Sequence, residues 1–145
     1  EQKVLAQVPE EIVNEIGSGL ASKTFDRIRY VVQENARTIA ASEALVNGDL
    51  MTFGQKLFES HSGLSQLYEV SCPELDFLVD LAKDFEGVIG SRMMGGGFGG
   101  CTINLVQQDQ VEAFIAAASQ AYSEKFNIQL SPFTVAIGDG VKIVS

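Results

Sequence analysis

At 145 residues, with 46% apolar and 20% charged residues, the chain is long enough for one domain with its own core, burying roughly 68–70% of its unfolded surface. A net charge of −9 excludes a nucleic-acid-binding domain built on a basic face, because phosphates demand clustered Lys and Arg. No apolar run approaches the roughly 20 residues of a membrane span, and two cysteines outside any C-x-x-C pattern, with one His, exclude an ordinary zinc site.

The opening residues lack an apolar signal segment, so a cytoplasmic protein with reduced thiols is expected. The chain starts at Glu1 rather than Met, already in a helical or linker pattern, which reads as part of something longer. The run Val8-Pro9-Glu10-Glu11 looks like a helix start, with Pro in the first turn and acids at the positive dipole end. Ile12, Val13 and Ile16 form its apolar side, and Gly17 and Gly19 stop it.

Over 24–46 the apolar residues Phe25, Ile28, Val32, Ala36, Ile39 and Ala40 recur at helical spacing and predict a long amphipathic helix. Asn47-Gly48-Asp49 is a turn in which Gly48 suits the left-handed helix-ending position and Asp49 caps the next helix. That helix, about 50–67, carries Phe53, Leu57, His61, Leu64 and Leu67 on one side, so the two should pack as an antiparallel hairpin. Ser71-Cys72-Pro73-Glu74 has the Ser-x-x-Glu form of a capping box, opening a helix to about residue 85 through Leu75, Leu78, Val79 and Ala82.

Residues 87–106 follow, and they hold seven of the 14 glycines up to Gly100. Val88-Ile89 and the run from Thr102 to Val106 are β-branched and apolar, so two strands are expected around a glycine loop. Ordering that much glycine is costly unless the backbone must go where a Cβ cannot. Asp109 is placed to cap a helix over about 110–126, with Val111, Phe114, Ile115, Ala118 and Tyr122 on one side. Residues 134–137 and 141–144 read as short strands around Gly138-Asp139-Gly140, a hairpin signal. The order implies an α+β fold, an antiparallel sheet with helices packed on one face and a long N-terminal helical hairpin.

Gly95, Gly97 and Gly100 formally satisfy G-x-G-x-x-G. The dinucleotide version needs a helix after the loop, and here a strand follows. The nucleoside-triphosphatase loop needs Gly-Lys-Ser/Thr, which is missing. A protein-kinase glycine loop needs a Lys on the next strand and downstream motifs that this chain lacks. What remains is a special backbone, either a tight structural turn or a surface that something approaches closely.

Several segments taken together resemble a known family. They are Arg27-Ile28-Arg29-Tyr30-Val31-Val32-Gln33-Glu34-Asn35, Phe53-Gly54, Ser60-His61, Tyr68-Glu69-Val70-Ser71-Cys72-Pro73-Glu74-Leu75-Asp76 and the run from Gly90 to Cys101. The chain is similar, from about residue 24 to 106, to the C-terminal half of galactokinases, within the sugar and mevalonate-type small-molecule kinases known as the GHMP kinases. Two positions depart from the family's usual pattern: Tyr30 stands where His is usual, and Met94 where Thr or Ser is usual.

The resemblance implies a two-domain enzyme that moves the γ-phosphoryl of ATP, with Mg2+, to the 1-hydroxyl of galactose. It implies that the phosphate-binding loop, the catalytic Asp and most sugar contacts belong to an N-terminal domain not present in these 145 residues, so that no catalytic residue and no metal ligand is expected here. This single domain, 1–145, would supply a wall of the active-site cleft made of Met94, Gly95, Gly96, Gly97, Phe98, Gly99 and Gly100, with Ser91 and Arg92 beside it. It implies a ferredoxin-like sheet of about four strands, with the N-terminal domain, galactose and ATP as partners. An N-acetylgalactosamine or arabinose kinase and a non-catalytic sugar sensor share the same resemblance.

Other residues carry plainer expectations. His61 lies on an apolar helix side, where a satisfied core imidazole is favoured over catalysis. Arg92 either faces nucleotide phosphates or pairs with an acid. Cys72 is expected to pack in a first helical turn, and Cys101 to be a small buried residue at a strand start. Glu34 and Arg37 read as a solvated helix pair, and Asp76 with Asp80 as a solvated acidic face.

Overall fold

The structure, a computed structural model, describes residues 4–5, 8–17, 19–136, 138, 140 and 143. Among the described residues, five α-helices and one β-hairpin follow in chain order: α1 (Glu10–Gly17), α2 (Ser22–Val46), α3 (Leu50–Gln66), α4 (Pro73–Asp84), β1 (Val88–Met94), β2 (Cys101–Val106) and α5 (Val111–Phe126).

α2 and α3 form the expected hairpin. Gly48 ends α2 with φ of 71°, and the Asp49 carboxylate caps α3 by accepting the Thr52 N–H at 3.0 Å and its hydroxyl at 2.6 Å. Those two bonds hold the Asp49 carboxyl below the usual carboxylate range. The hairpin closes where Tyr30 of α2 lies over Gly63 of α3. A Cβ at Gly63 would come within 2.7 Å of the ring, so the glycine is what admits the phenol. The apolar residues of α2 are covered unevenly: Tyr30, Val32 and Ala44 are buried, whereas Ile39, Leu45 and Val46 are exposed.

β1 and β2 pair antiparallel, with Met94 opposite Cys101, Met93 opposite Thr102 and Ser91 opposite Asn104, and the register shifts between Val88 and Gly90. One core joins Tyr30, Leu64, Leu75 and Met93. A second joins Ala82, Phe114 and Ala118, with Phe85 edge-on to Phe114 at 5.3 Å. α3 runs along β1, Gly54 lying against Ile89 and Gly90, and so covers the side of β1 that faces away from β2.

Three expectations are corrected. The sheet has two strands among the described residues, not about four. Of the strand expected over 134–137, residues 134–136 form none, and Val135 is exposed. Strand residues are stabilised by packing a face against a sheet, and this segment, with Val135 exposed, buries no such face. The rest of that segment, with Ile137, Asp139, Val141 and Val144, lies outside the described residues.

The Ser71 capping box does not form. Cys72 is the N-cap of α4, Pro73 holds the first helical position, and the Ser71 hydroxyl is buried without a partner. Proline is preorganised for that first position, which leaves Ser71 one residue too early to cap. Asp109 sits in a short 3-10 turn, Gln108–Gln110, and α5 starts after Gln110 without a side-chain cap.

Candidate functional site

The loop between the two strands is a ribbon of left-handed backbone. Gly95, Gly97, Phe98, Gly99 and Gly100 have φ of 89°, 86°, 62°, 134° and 97°. Four of the five are glycine, the residue for which this region costs nothing sterically. Phe98 is the exception, and it holds its ring 77% exposed to solvent. Around Gly95, Gly96 and Gly99 an added Cβ would meet no atom within 4 Å, so their conformation is not forced by crowding from within this domain.

One point of the ribbon is pinned. The Phe98 N–H donates to the Val70 carbonyl oxygen at 2.7 Å, and Gly97 lies against the same carbonyl so closely that a Cβ would overlap it. Val70 belongs to the link between α3 and α4, whose Glu69 is itself left-handed at φ of 57° and exchanges ion pairs with Lys23 (3.0 Å) and Arg27 (3.4 Å). Those bonds to cations, Lys23 first, hold the Glu69 carboxyl below its ordinary range.

The root of the ribbon is held from the side of α3. In an antiparallel strand the N–H and C=O of one residue point the same way. At Met93 both point away from β2. The Met93 N–H donates to His61 Nδ1 at 3.2 Å, and its carbonyl accepts from Arg92 Nε at 3.0 Å. Because Nδ1 accepts, the His61 proton is on Nε2, which lies 3.1 Å from Asp76 Oδ1, although the N–H is not aimed well enough at that oxygen for a hydrogen bond. Ser65 donates to the other Asp76 oxygen at 3.1 Å. Burial pushes the His61 pKa down, with the Asp76 carboxylate working against it.

Arg92 also reaches Glu34 Oε1 with a guanidinium nitrogen at 3.3 Å, and Glu34 in turn accepts the Ser60 hydroxyl at 2.6 Å and pairs with Arg37. The expectation of a solvated Glu34–Arg37 pair is therefore corrected. Both side chains are largely covered and belong to a cluster that ties α2, α3 and β1 together. Ser91 is fully buried and donates to Asn104 across the strands at 2.6 Å. Cys101 is exposed rather than buried, because it stands at the open mouth of the hairpin, while Cys72 is half-buried against the Tyr30 core. Asp76 is bound into the His61 contact instead of lying on a solvated face, and Asp80 is exposed.

Thus Met94, Gly95, Gly96, Phe98 and Gly100 are exposed, with Gly97 and Gly99 half-buried between them, whereas Ser91 and Arg92 serve the framework beneath through Asn104, Met93 and Glu34. Tyr30 is a core residue whose pKa is raised by burial and by Glu34, and its ring stacks on Tyr68 at 5.1 Å. The residues that position the ribbon, Val70, Gly54 and His61, carry no distinctive sequence signal for that role. Gly54, His61 and Val70 stand in segments that carry the family resemblance, and only the glycine run from 87 to 100 pointed to close backbone approach.

Comparison with known proteins places this geometry. Residues 41–124 match the family described as GHMP kinases C terminal. Similar proteins include a galactokinase of Clostridium acetobutylicum, 48% identical over 119 residues and covering 82% of this chain and 31% of that protein. A galactokinase of Chloroflexus aurantiacus is 50% identical over 116 residues, 80% of this chain and 30% of that protein. Among solved structures, Lactococcus lactis galactokinase complexed with galactose superposes with a TM-score of 0.85 at 38% identity, over 89% of this chain and 34% of that one. The chain spans about a third of the length of these relatives.

Proposed function

The chain belongs to the GHMP kinases, whose C-terminal family it matches over more than half its length, and from that premise we propose that it works as the C-terminal domain of a galactokinase. In this reading the complete cytoplasmic enzyme transfers the γ-phosphoryl of ATP to the 1-hydroxyl of galactose, and residues 94–100 form one wall of the cleft in which that happens. An N-terminal domain contributes the reacting groups.

The observation that carries the reading is the ribbon itself: left-handed, glycine-built and exposed, yet anchored at Val70 and Met93. A left-handed glycine backbone with open space on its outer side fits a surface that another backbone or a phosphate chain approaches. Main-chain N–H groups near such turns favour anions, which suits the polyphosphate of ATP. Among the described residues no group of three or more His, Cys, Asp or Glu is arranged to hold a metal ion. In this reading the Mg2+ that accompanies ATP is held by the N-terminal domain.

Phosphoryl transfer is mostly positioning and charge stabilisation, so a wall that fixes the nucleotide contributes without a reacting side chain. No helix among the described residues is long and apolar enough to cross a membrane.

A substrate screen on the complete protein tests the proposal. ATP-dependent phosphorylation of galactose is the expected result. Turnover of N-acetylgalactosamine or arabinose in its place, or binding of galactose and ATP with no turnover, would overturn it. Kinase activity in the isolated chain would overturn the assignment of chemistry to another domain.

A further inference from the structure

The outward edge of β1 ends at Met93, one residue before the ribbon begins. Its N–H and C=O are the last pair on that edge within the strand, and both are taken by side chains: His61 accepts and Arg92 donates. An unmade main-chain hydrogen bond here would leave a buried donor, since Met93 is 1% exposed and His61 6%. Met94 follows at 48% exposure, so the chain passes from a locked peptide to an open ribbon within one residue.

We propose that His61 is a positioning residue for the ribbon: by accepting the Met93 N–H through Nδ1 it fixes the direction in which 94–100 leaves the sheet toward the nucleotide. The proposal rests on reading the ribbon as the nucleotide-side wall. The role needs a lone pair on Nδ1, which a protonated imidazole lacks, so His61 works only while neutral. Asp76 and Asp80 of α4 and Arg92 of β1 are the charged groups that face it, the two acids favouring its protonation and the guanidinium opposing it. Asp76 has a second part, because it lies beside Nε2 and so favours the tautomer that leaves Nδ1 free to accept.

Two substitutions separate this role from simple packing. Asn in place of His61 sets its amide oxygen near the position of Nδ1 and keeps an acceptor for Met93. Gln extends instead toward the position of Nε2, keeps the approach to Asp76, and gives up that acceptor. In the complete enzyme, with thermal unfolding confirming that both variants fold, the Michaelis constant for ATP is expected to rise about tenfold in His61→Gln and to stay within about twofold in His61→Asn. Acidification is expected to raise the ATP constant of the native enzyme more steeply than that of His61→Asn.

Amide exchange gives a readout free of catalysis. The Met93 N–H should exchange faster in His61→Gln and at the native rate in His61→Asn. Equal behaviour of the two variants in both measurements, or unchanged Met93 exchange in His61→Gln, would overturn the proposal. If the native protein phosphorylates no sugar, it is the proposed function that fails, and the exchange comparison still decides the role of His61.

Discussion

Gly54 and Gly90 are in main-chain contact. A Cβ built on Gly90 would lie 2.5 Å from the Gly54 Cα, and one built on Gly54 would overlap the carbonyl oxygen of Ile89. This pair lets α3 seal the edge of β1, and the seal brings His61 to Met93 seven residues further along the helix. Ala at Gly54 gains about 1 kcal/mol of helix propensity. It also pushes α3 off the strand, and overpacking of this kind costs about 1–3 kcal/mol, with more when the obstacle is backbone. Gly54→Ala and Gly90→Ala are each expected to lower stability by about 2 kcal/mol or more, read from urea unfolding midpoints.

Gly96 and Gly97 are neighbours with different tasks. Gly97→Ala would clash with the Val70 carbonyl and force a left-handed alanine, so both the anchor and stability should suffer, by about 2 kcal/mol. Gly96 has open space around it and no left-handed φ. Gly96→Ala should therefore leave stability within about 0.5 kcal/mol of native, while weakening ATP binding by the complete enzyme because the added methyl would stand where the proposed nucleotide approaches. Calorimetric titration with ATP alongside thermal melts separates the two effects.

The buried imidazole of His61 makes stability depend on pH in a defined window. Its pKa in the folded protein lies below the ordinary 6.5. As pH falls through that ordinary value the unfolded chain takes up the proton first, so stability declines below about 6.5 and stops declining once the native His61 is protonated too. Above that value this group contributes no slope. His61→Asn should remove this part of the acid-side decline, seen as the difference between the two stability–pH curves.

Glu34 balances two guanidinium groups in a half-buried cluster, while Glu69 pairs with Lys23 and Arg27 in the open. Glu34→Ala leaves Arg37, Arg92 and the Ser60 hydroxyl without their shared acceptor, and a loss of about 2 kcal/mol is expected, below the 3–5 kcal/mol typical of fully buried pairs. Lys23→Ala should not shift the urea midpoint measurably, because exposed pairs contribute little.

Helices were legible in the sequence because the information is local. The 3.6-residue period of Leu64, Leu75 and Phe114 and their neighbours survives in the burial pattern, and Gly48 with Asp49 marks a boundary wherever it occurs. The exposed glycine ribbon was legible for the same reason. Partnerships across the fold were not. Ser60 and Arg92 are 26 and 58 residues from Glu34, and nothing in the spacing joins them. Ser71 failed as a cap because one proline moved the helix start, and residues 134–136 failed as a strand because they bury no face against the sheet.

The central claim is that residues 94–100 present their backbone to bound nucleotide. Amide hydrogen exchange on the complete enzyme, with and without saturating Mg-ATP, tests it most directly. Slowed exchange confined to the ribbon and its flanks, with the α2–α3 turn at Gly48 unchanged, is the predicted result. Exchange in the ribbon that stays the same while the enzyme is saturated with nucleotide would contradict it.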